Sequence, residues 1–380
     1  TYTFTVSATD TQSGVKEYIA SNGETTVTTK DGIFKLKGGT YTFIVKDNVG
    51  NESKGQTVTL KVDDTKPEIT EIVSSNSNPT NQPVVLTISA TDTESGIYQY
   101  GISDTADGQG ITWQSSDEFT IADDKVHYFY VMNNVKPGNI SEPFKYQVVN
   151  YNTNLPTIEN IEGTDKNYTN ESFTVTITGK SSSNAANTEF EVVAYAMDST
   201  ETWQQENTFT INDAIAHQFY VKDSSGNISE PKSYQSVNYD VETPDFYRVE
   251  FSQKNDNFLA EAVNFLSFGH FFNKEAVVSI NAADNATDTS VASGIYSYTL
   301  YFYDINGQKA DYHIKLVEED GVLKNTAVLD QDFLNNFKGT MTIRIEDKAG
   351  NITEAPIHSQ NSNLEKLNEI TDGQFMIENN

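Results

Sequence analysis

Residues 45–54 read VKDNVGNESK, and near copies return as VMNNVKPGNISE from Val131, VKDSSGNISE from Val221 and IEDKAGNITE from Ile345. Each copy closes an alternating run such as TYTFIVKD (40–47), HQFYVKD (217–223) or TMTIRIED (340–347). A period of two puts one face of a run on a core and the other in water, so these runs read as strands. The D-x-x-G-N that follows reads as a turn. Asp caps its own backbone, Gly takes the left-handed conformation and Asn closes the loop. Its glycines, Gly50, Gly138, Gly226 and Gly350, stand 88, 88 and 124 residues apart. A step of that size is the signature of an array of modules.

Other landmarks keep the step. Pro67, Pro156 and Pro244 end the short segments DDTKP, NTNLP and VETP, and Trp113 and Trp203 lie 90 residues apart. Proline fixes one backbone angle and biases its predecessor to an extended form, so these segments read as stiff linkers joining modules end to end. The expected modules are 1–64, 65–153, 154–242 and a larger 243–358, with 359–380 a linker or the start of another. The opening TYTFTVSATD is already a strand pattern. The chain is therefore expected to be a piece of a longer polypeptide, its first module lacking a strand.

Further alternating runs, LTISATD (86–92), FTVTITG (173–179) and VVSINAAD (277–284), are separated by Gly, Asn, Ser and Asp clusters at the spacing of an all-β sandwich. Helical signal is confined to NFLAEAVNFLSFGHFF (257–272), expected as a short helix in the fourth module, and SNLEKLNEI (362–370). With no cysteine, disulfides, thiolate metal sites and cysteine nucleophiles are excluded. The formal net charge of -29 argues against nucleic acid or an anionic membrane as partner and favours cations and basic protein surfaces. No apolar run reaches the roughly 18 residues of a spanning helix.

A strand ending in A-x-D-x-x-S-G-[IV], as in SATDTQSGV (7–15) and SATDTESGI (89–97), then an aromatic strand, then [VI]-x-D-x-x-G-N-[IE]-[ST], resembles the bacterial immunoglobulin-like repeats of large Gram-positive surface proteins and adhesins. The resemblance covers almost the whole chain. It implies tandem immunoglobulin-like β-sandwiches, an extracellular location on the cell wall or in the medium, and service as spacer or binding head. In such a sandwich the loop after the second strand and the loop before the last emerge at one end. That would set Asp10 and Ser13 against Asp47 and Asn51, and Asp284 and Ser293 against Asp347 and Asn351.

Two readings compete for these acids. One is the turn. The other is Ca2+ held between the loops by Asp10 and Asp47, or by Asp284 and Asp347. Calcium takes six or more oxygens, and module two has Asn133 for the second Asp while module three has GKSSSNAANTEF where the first should stand. The turn is the reading that all four copies share, and no other cofactor is expected.

No nucleophile elbow, zinc-protease helix or phosphate-cradling glycine loop occurs, so no catalytic residue is expected. His127 and His217 fall at equivalent points of two repeats and read as strand residues. YSYTLYFYD (296–304) carries aromatics on both parities, so Tyr296, Tyr298, Tyr301 and Tyr303, with Phe268 and Phe271 of the apolar block 260–273, are the candidate binding surface. Module four also carries additions, among them the loop DNATDTSVASG, and additions on a fixed scaffold are where function is often grafted. The expectation is a non-enzymatic stalk and adhesin for a host extracellular protein, an immunoglobulin or matrix or mucosal protein among the candidates. The alternative is an accessory glycan-binding or spacer region of a secreted glycosidase, with Trp113 and Trp203 as stacking platforms.

Overall fold

The computed structural model describes residues 2–61, 63–253, 259–260, 276–330, 332–333 and 339–357. Strands dominate throughout. The first repeat holds β1 (Tyr2–Thr5), β2 (Val15–Ser21), β3 (Thr26–Thr29), β4 (Ile33–Leu36), β5 (Gly39–Asp47) and β6 (Gln56–Leu60). Strand β1 pairs with β4, and a second sheet runs β3-β2-β5-β6. The second repeat holds β7 (Glu68–Ser74), β8 (Val84–Thr91), β9 (Ile97–Ser103), β10 (Thr112–Gln114), β11 (Glu118–Ile121), β12 (Val126–Asn133) and β13 (Phe144–Gln147). Its sheets are β11-β8-β7 and β10-β9-β12-β13, all antiparallel.

The third repeat has the same plan. It holds β14 (Thr157–Gly163), β15 (Phe173–Lys180), the short pair β16 (Ser182–Ser183) and β17 (Glu189–Phe190), β18 (Val192–Met197), β19 (Thr208–Ile211), β20 (Ala216–Asp223) and β21 (Lys232–Gln235). Sheets β14-β15-β19 and β18-β20-β21 enclose its core. The fourth holds β22 (Asp245–Gln253), β23 (Leu259–Ala260), β24 (Ala276–Ala283), β25 (Ile295–Asp304), β26 (Lys309–Glu319), β27 (Val322–Leu323), β28 (Thr326–Val328), β29 (Gly339–Asp347) and β30 (Ile352–Ile357), in sheets β23-β22-β24-β28 and β27-β26-β25-β29-β30. Tandem sandwiches with the strand pairing of the immunoglobulin plan are thus the architecture.

Each repeat buries its own apolar cluster: around Phe34 and Phe43; around Leu86, Ile88 and Phe129; around Val175, Ile177 and Phe219; and around Leu300, Phe302 and Ile343. The inward positions are those of one parity along each strand, so alternation in the sequence becomes a two-layer core. Edge-to-face pairs such as Phe119–Phe129 at 5.4 Å and Phe209–Phe219 at 5.4 Å lock equivalent places in the second and third cores. By packing, the chain falls into two compact units: Thr1–Thr153 with Ser183–Glu189, and Asn154–Ser182 with Phe190–Asn380.

One irregularity recurs. The pairing of β2 with β5, β9 with β12, β18 with β20 and β25 with β29 slips by one residue beside the motif turn, leaving Lys16, Tyr98, Val193 and Tyr296 outside the ladder. A bulge of this kind re-aims side chains, and all four residues are exposed. The expected helix at 257–272 meets a correction where it is described. Leu259 and Ala260 form the two-residue strand β23 and pair with Ser252 and Phe251, so backbone bonds to β22 take the place of a helical turn at these two residues. The rest of that segment, Phe268 and Phe271 included, and residues 362–370 lie outside the described residues. Among the described residues no helix is long and apolar enough to cross a membrane.

Candidate functional site

The D-x-x-G-N turn builds itself from its first residue. One carboxylate oxygen of Asp47 accepts from the Val49 and Asn51 amides at 3.0 and 2.8 Å, and the other from the Asn51 side chain at 2.7 Å. Asp223 does the same with the amides of Ser225 and Asn227, and Asp347 with the amide and side chain of Asn351. The glycines Gly50, Gly226 and Gly350 have φ of 98, 94 and 93°, a conformation that a Cβ opposes. Gly138 does not share it: the longer turn NNVKPGN is instead held by the side-chain oxygen of Asn133, which accepts from the Asn139 amide at 2.8 Å.

The motif asparagine has a second partner that the sequence does not reveal. Its amide nitrogen donates to a carbonyl of the preceding linker: Asn139 to Asp63 at 3.1 Å, Asn227 to Asn154 at 3.2 Å and Asn351 to Asp240 at 2.9 Å. The turn is also a latch. Four residues before each linker proline stand Asp63, Asn152 and Asp240, all buried. In the first unit, one oxygen of Asp63 accepts from the Thr65 amide and hydroxyl, and the other from Ser95 at 2.5 Å and the Asn133 side chain at 2.8 Å. Burial pushes the Asp63 carboxyl up, but the Ser95 and Thr65 bonds outweigh it and hold the group below the ordinary range. The same Asn133 nitrogen reaches the Asp92 carboxylate at 3.3 Å, so an amide bridges two acids.

In the second unit that bridge is missing, because Asp347 occupies the place of Asn133. Asp240, Asp284 and Asp347 each bring an oxygen into one group whose members all lie within 4.8 Å of one another. Among the described residues it is the one cluster of three acids or histidines with that spacing. Asp240 accepts from Ser290 at 2.9 Å and from the Ser293 amide at 2.8 Å, and Asp284 accepts from the Gly294 amide at 2.5 Å. The second oxygen of Asp284, Oδ1, is buried without a hydrogen-bond partner. Burial, reinforced by the neighbouring acids, raises the carboxyls of both Asp284 and Asp347. Asp10 and Asp47 do share a loop end, but bonds from the Gln12 amide and the Ser13 hydroxyl keep Asp10 below its ordinary value, and among the described residues no third carboxylate joins them.

The loop DNATDTSVASG is spent on this joint. Val291 packs on the third core, its amide donates to the Tyr239 carbonyl at 2.9 Å, and the Thr289 carbonyl accepts from Ala214 at 2.9 Å. The aromatic candidates divide. Tyr298 is in the fourth core at 5% exposure, whereas Tyr296, displaced by the bulge, is 45% exposed. Tyr301 and Tyr303 are half-buried on the outer face, Tyr301 under the Lys309 ammonium at 3.2 Å from the ring centre. Trp113 and Trp203 are half-buried outside the sheets' interface. Trp113 lies over Gly101, and the face of Trp203 is covered by Lys222 at 4.0 Å. His127 and His217 lie in β12 and β20, as strand residues should.

No family profile and no curated protein matches the sequence. Among solved structures the chain is similar to a tetra-tandem repeat from the extending region of a large adhesion protein, at 11% identity and a TM-score of 0.30 over 94% of this chain and 95% of that one. It is also similar to three-domain segment A168–A170 of titin, at 10% identity and 0.27 over 77% and 96%. Fibronectin(III)-like modules of Clostridium thermocellum CbhA match at 11% identity and 0.21 over 43% and 91%. Overlaps this low say nothing of what this chain does.

Proposed function

We propose that the chain is a non-enzymatic stalk segment of a bacterial cell-surface or secreted protein and that it presents an adhesive surface to a host extracellular protein. The observation that carries the reading is the latch. The most repeated motif of the chain, through Asn139, Asn227 and Asn351, is used to tie each linker to the sandwich that follows. Residues spent on joints serve the placement of modules. The excess negative charge favours a basic partner surface, and the outer face of β25, with Tyr296, Tyr301 and Tyr303, is the candidate contact. A pull-down from host serum and mucus with the whole chain, and with Tyr296, Tyr301 and Tyr303 changed together to Ser, tests it. A partner retained by the first and lost by the second supports adhesion through β25; equal capture by both removes that face.

A second reading concerns Asp240, Asp284 and Asp347, which we propose hold Ca2+. Three acids with a buried, unpartnered oxygen lack the bridging donor that the Asn133 amide supplies in the first unit. Hard carboxylate oxygens suit Ca2+, which fills its remaining positions from carbonyls or water. Calorimetric titration should show one Ca2+ bound by the chain and none by the Asp284→Asn variant. Undiminished binding by that variant would overturn the assignment.

A further inference from the structure

Two buried histidines that the stalk reading does not use are each clamped by two acids. Nδ1 of His127 lies 3.0 Å from Asp104 and Nε2 2.8 Å from Asp123; Nδ1 of His217 lies 2.6 Å from Asp198 and Nε2 2.9 Å from Asp213. Carboxylates only accept, so both ring nitrogens donate only when the ring is the doubly protonated imidazolium. The clamped loops have a common use. Asp123 and Asp213 open the short loops 122–125 and 212–215, tethered again by Gln147 to the Asp124 carbonyl and by Gln235 to the Ala214 carbonyl, both at 2.8 Å. In the first unit, Asp124 of this loop accepts from the Ala185 amide at 2.5 Å. In the second, the Ala214 amide donates to Thr289 at 2.9 Å. Each loop therefore seats residues that come from the repeat after it.

We propose that His217 is a proton-operated clasp: the protonated ring holds the loop that seats the next repeat, and loss of the proton releases it. The groups facing His217 are Asp198 after β18, Asp213 in the loop and Tyr234 on β21, whose hydroxyl is given to Asp165. For His217, burial alone would lower the pKa, but the bonds from Asp198 and Asp213 outweigh it and the group is raised. The sign follows. A base whose folded pKa is raised contributes stability that is complete below its unfolded value near 6.5 and is lost as pH climbs through the folded value. The clasp thus holds below the ordinary histidine value and opens as pH climbs through the raised one, and the acids it uses are separate from Asp240, Asp284 and Asp347.

The test uses the whole chain in two measurements. Amide hydrogen exchange at 212–216, corrected for intrinsic base catalysis, should show protection of the Ala214 amide falling about tenfold for each pH unit by which the His217 midpoint is raised. In His217→Gln protection should be low and independent of pH. Identical pH profiles in the two proteins would overturn the proposal. Because the variant could misfold, the ring protons of the unaltered chain are followed by NMR as well. His217 should keep its proton above the ordinary histidine value near 6.5, and a His217 that titrates at or below that value refutes the clasp.

Discussion

Asn133 and Asp347 hold the same place in their repeats, and the exchange of one side-chain nitrogen for oxygen separates two kinds of joint. The nitrogen of Asn133 lies on two carboxylates, so the buried Asp63 and the half-buried Asp92 have a donor between them. The oxygen of Asp347 cannot donate, and Asp240 and Asp284 face a third negative charge. Asn133→Asp should therefore cost the first unit roughly 3–5 kcal/mol at neutral pH, the scale of an uncompensated buried charge. Added calcium should return part of that loss if three such acids make a calcium site. Thermal unfolding with and without the ion measures both, and an unchanged melting temperature would contradict the account. At this scale the turn was legible in the sequence, because Asp caps and left-handed Gly are properties of five consecutive residues. Asp240 was not singled out, although Asp63, Asn152 and Asp240 all stand four residues before a proline. Its importance lies in Asp284 and Asp347, far along the chain.

Strands were the legible elements. LTISATD became β8 and TMTIRIED became β29, since period-two alternation needs only a core on one side. Parity counting failed at Tyr296: it shares parity with the buried Tyr298, yet the bulge that skips it in the pairing of β25 with β29 turns it to solvent. A bulge is an agreement between two strands and leaves little trace in one. The loop DNATDTSVASG was legible as an addition but not as a joint element. Its Val291 packs half-buried on the core of the preceding repeat. Val291→Ser should then lower the stability of the second unit by about 1 kcal/mol through lost apolar burial, with faster amide exchange at the Tyr239 side of the joint. Exchange that rises only among residues of the fourth core would show that the loop serves its own sandwich instead.

The molecule as a whole repeats one sandwich and varies the joints. If Ca2+ is held by Asp240, Asp284 and Asp347, it binds the folded second unit and not its unfolded chain, and stabilises that unit in proportion to the logarithm of its concentration. Calorimetric scans should show the transition of the second unit moving up by a few degrees in millimolar Ca2+ and back with chelator, while that of the first, whose joint already has its amide, stays in place. A calcium shift shared by both units would point to general screening of the -29 charge. The sequence by itself determined the all-β class, the period of the repeat and the turn that ends each long strand, because alternation, dihedral preference and side-chain caps are decided within a few neighbouring residues. Only the tertiary structure decided that the turn also grips a linker, that three distant acids converge and that two histidines each lie between a pair of carboxylates. The histidine clamps join residues 4 to 23 positions apart and the latch residues 73 to 111 apart, and such distances exist only once the sheets have paired.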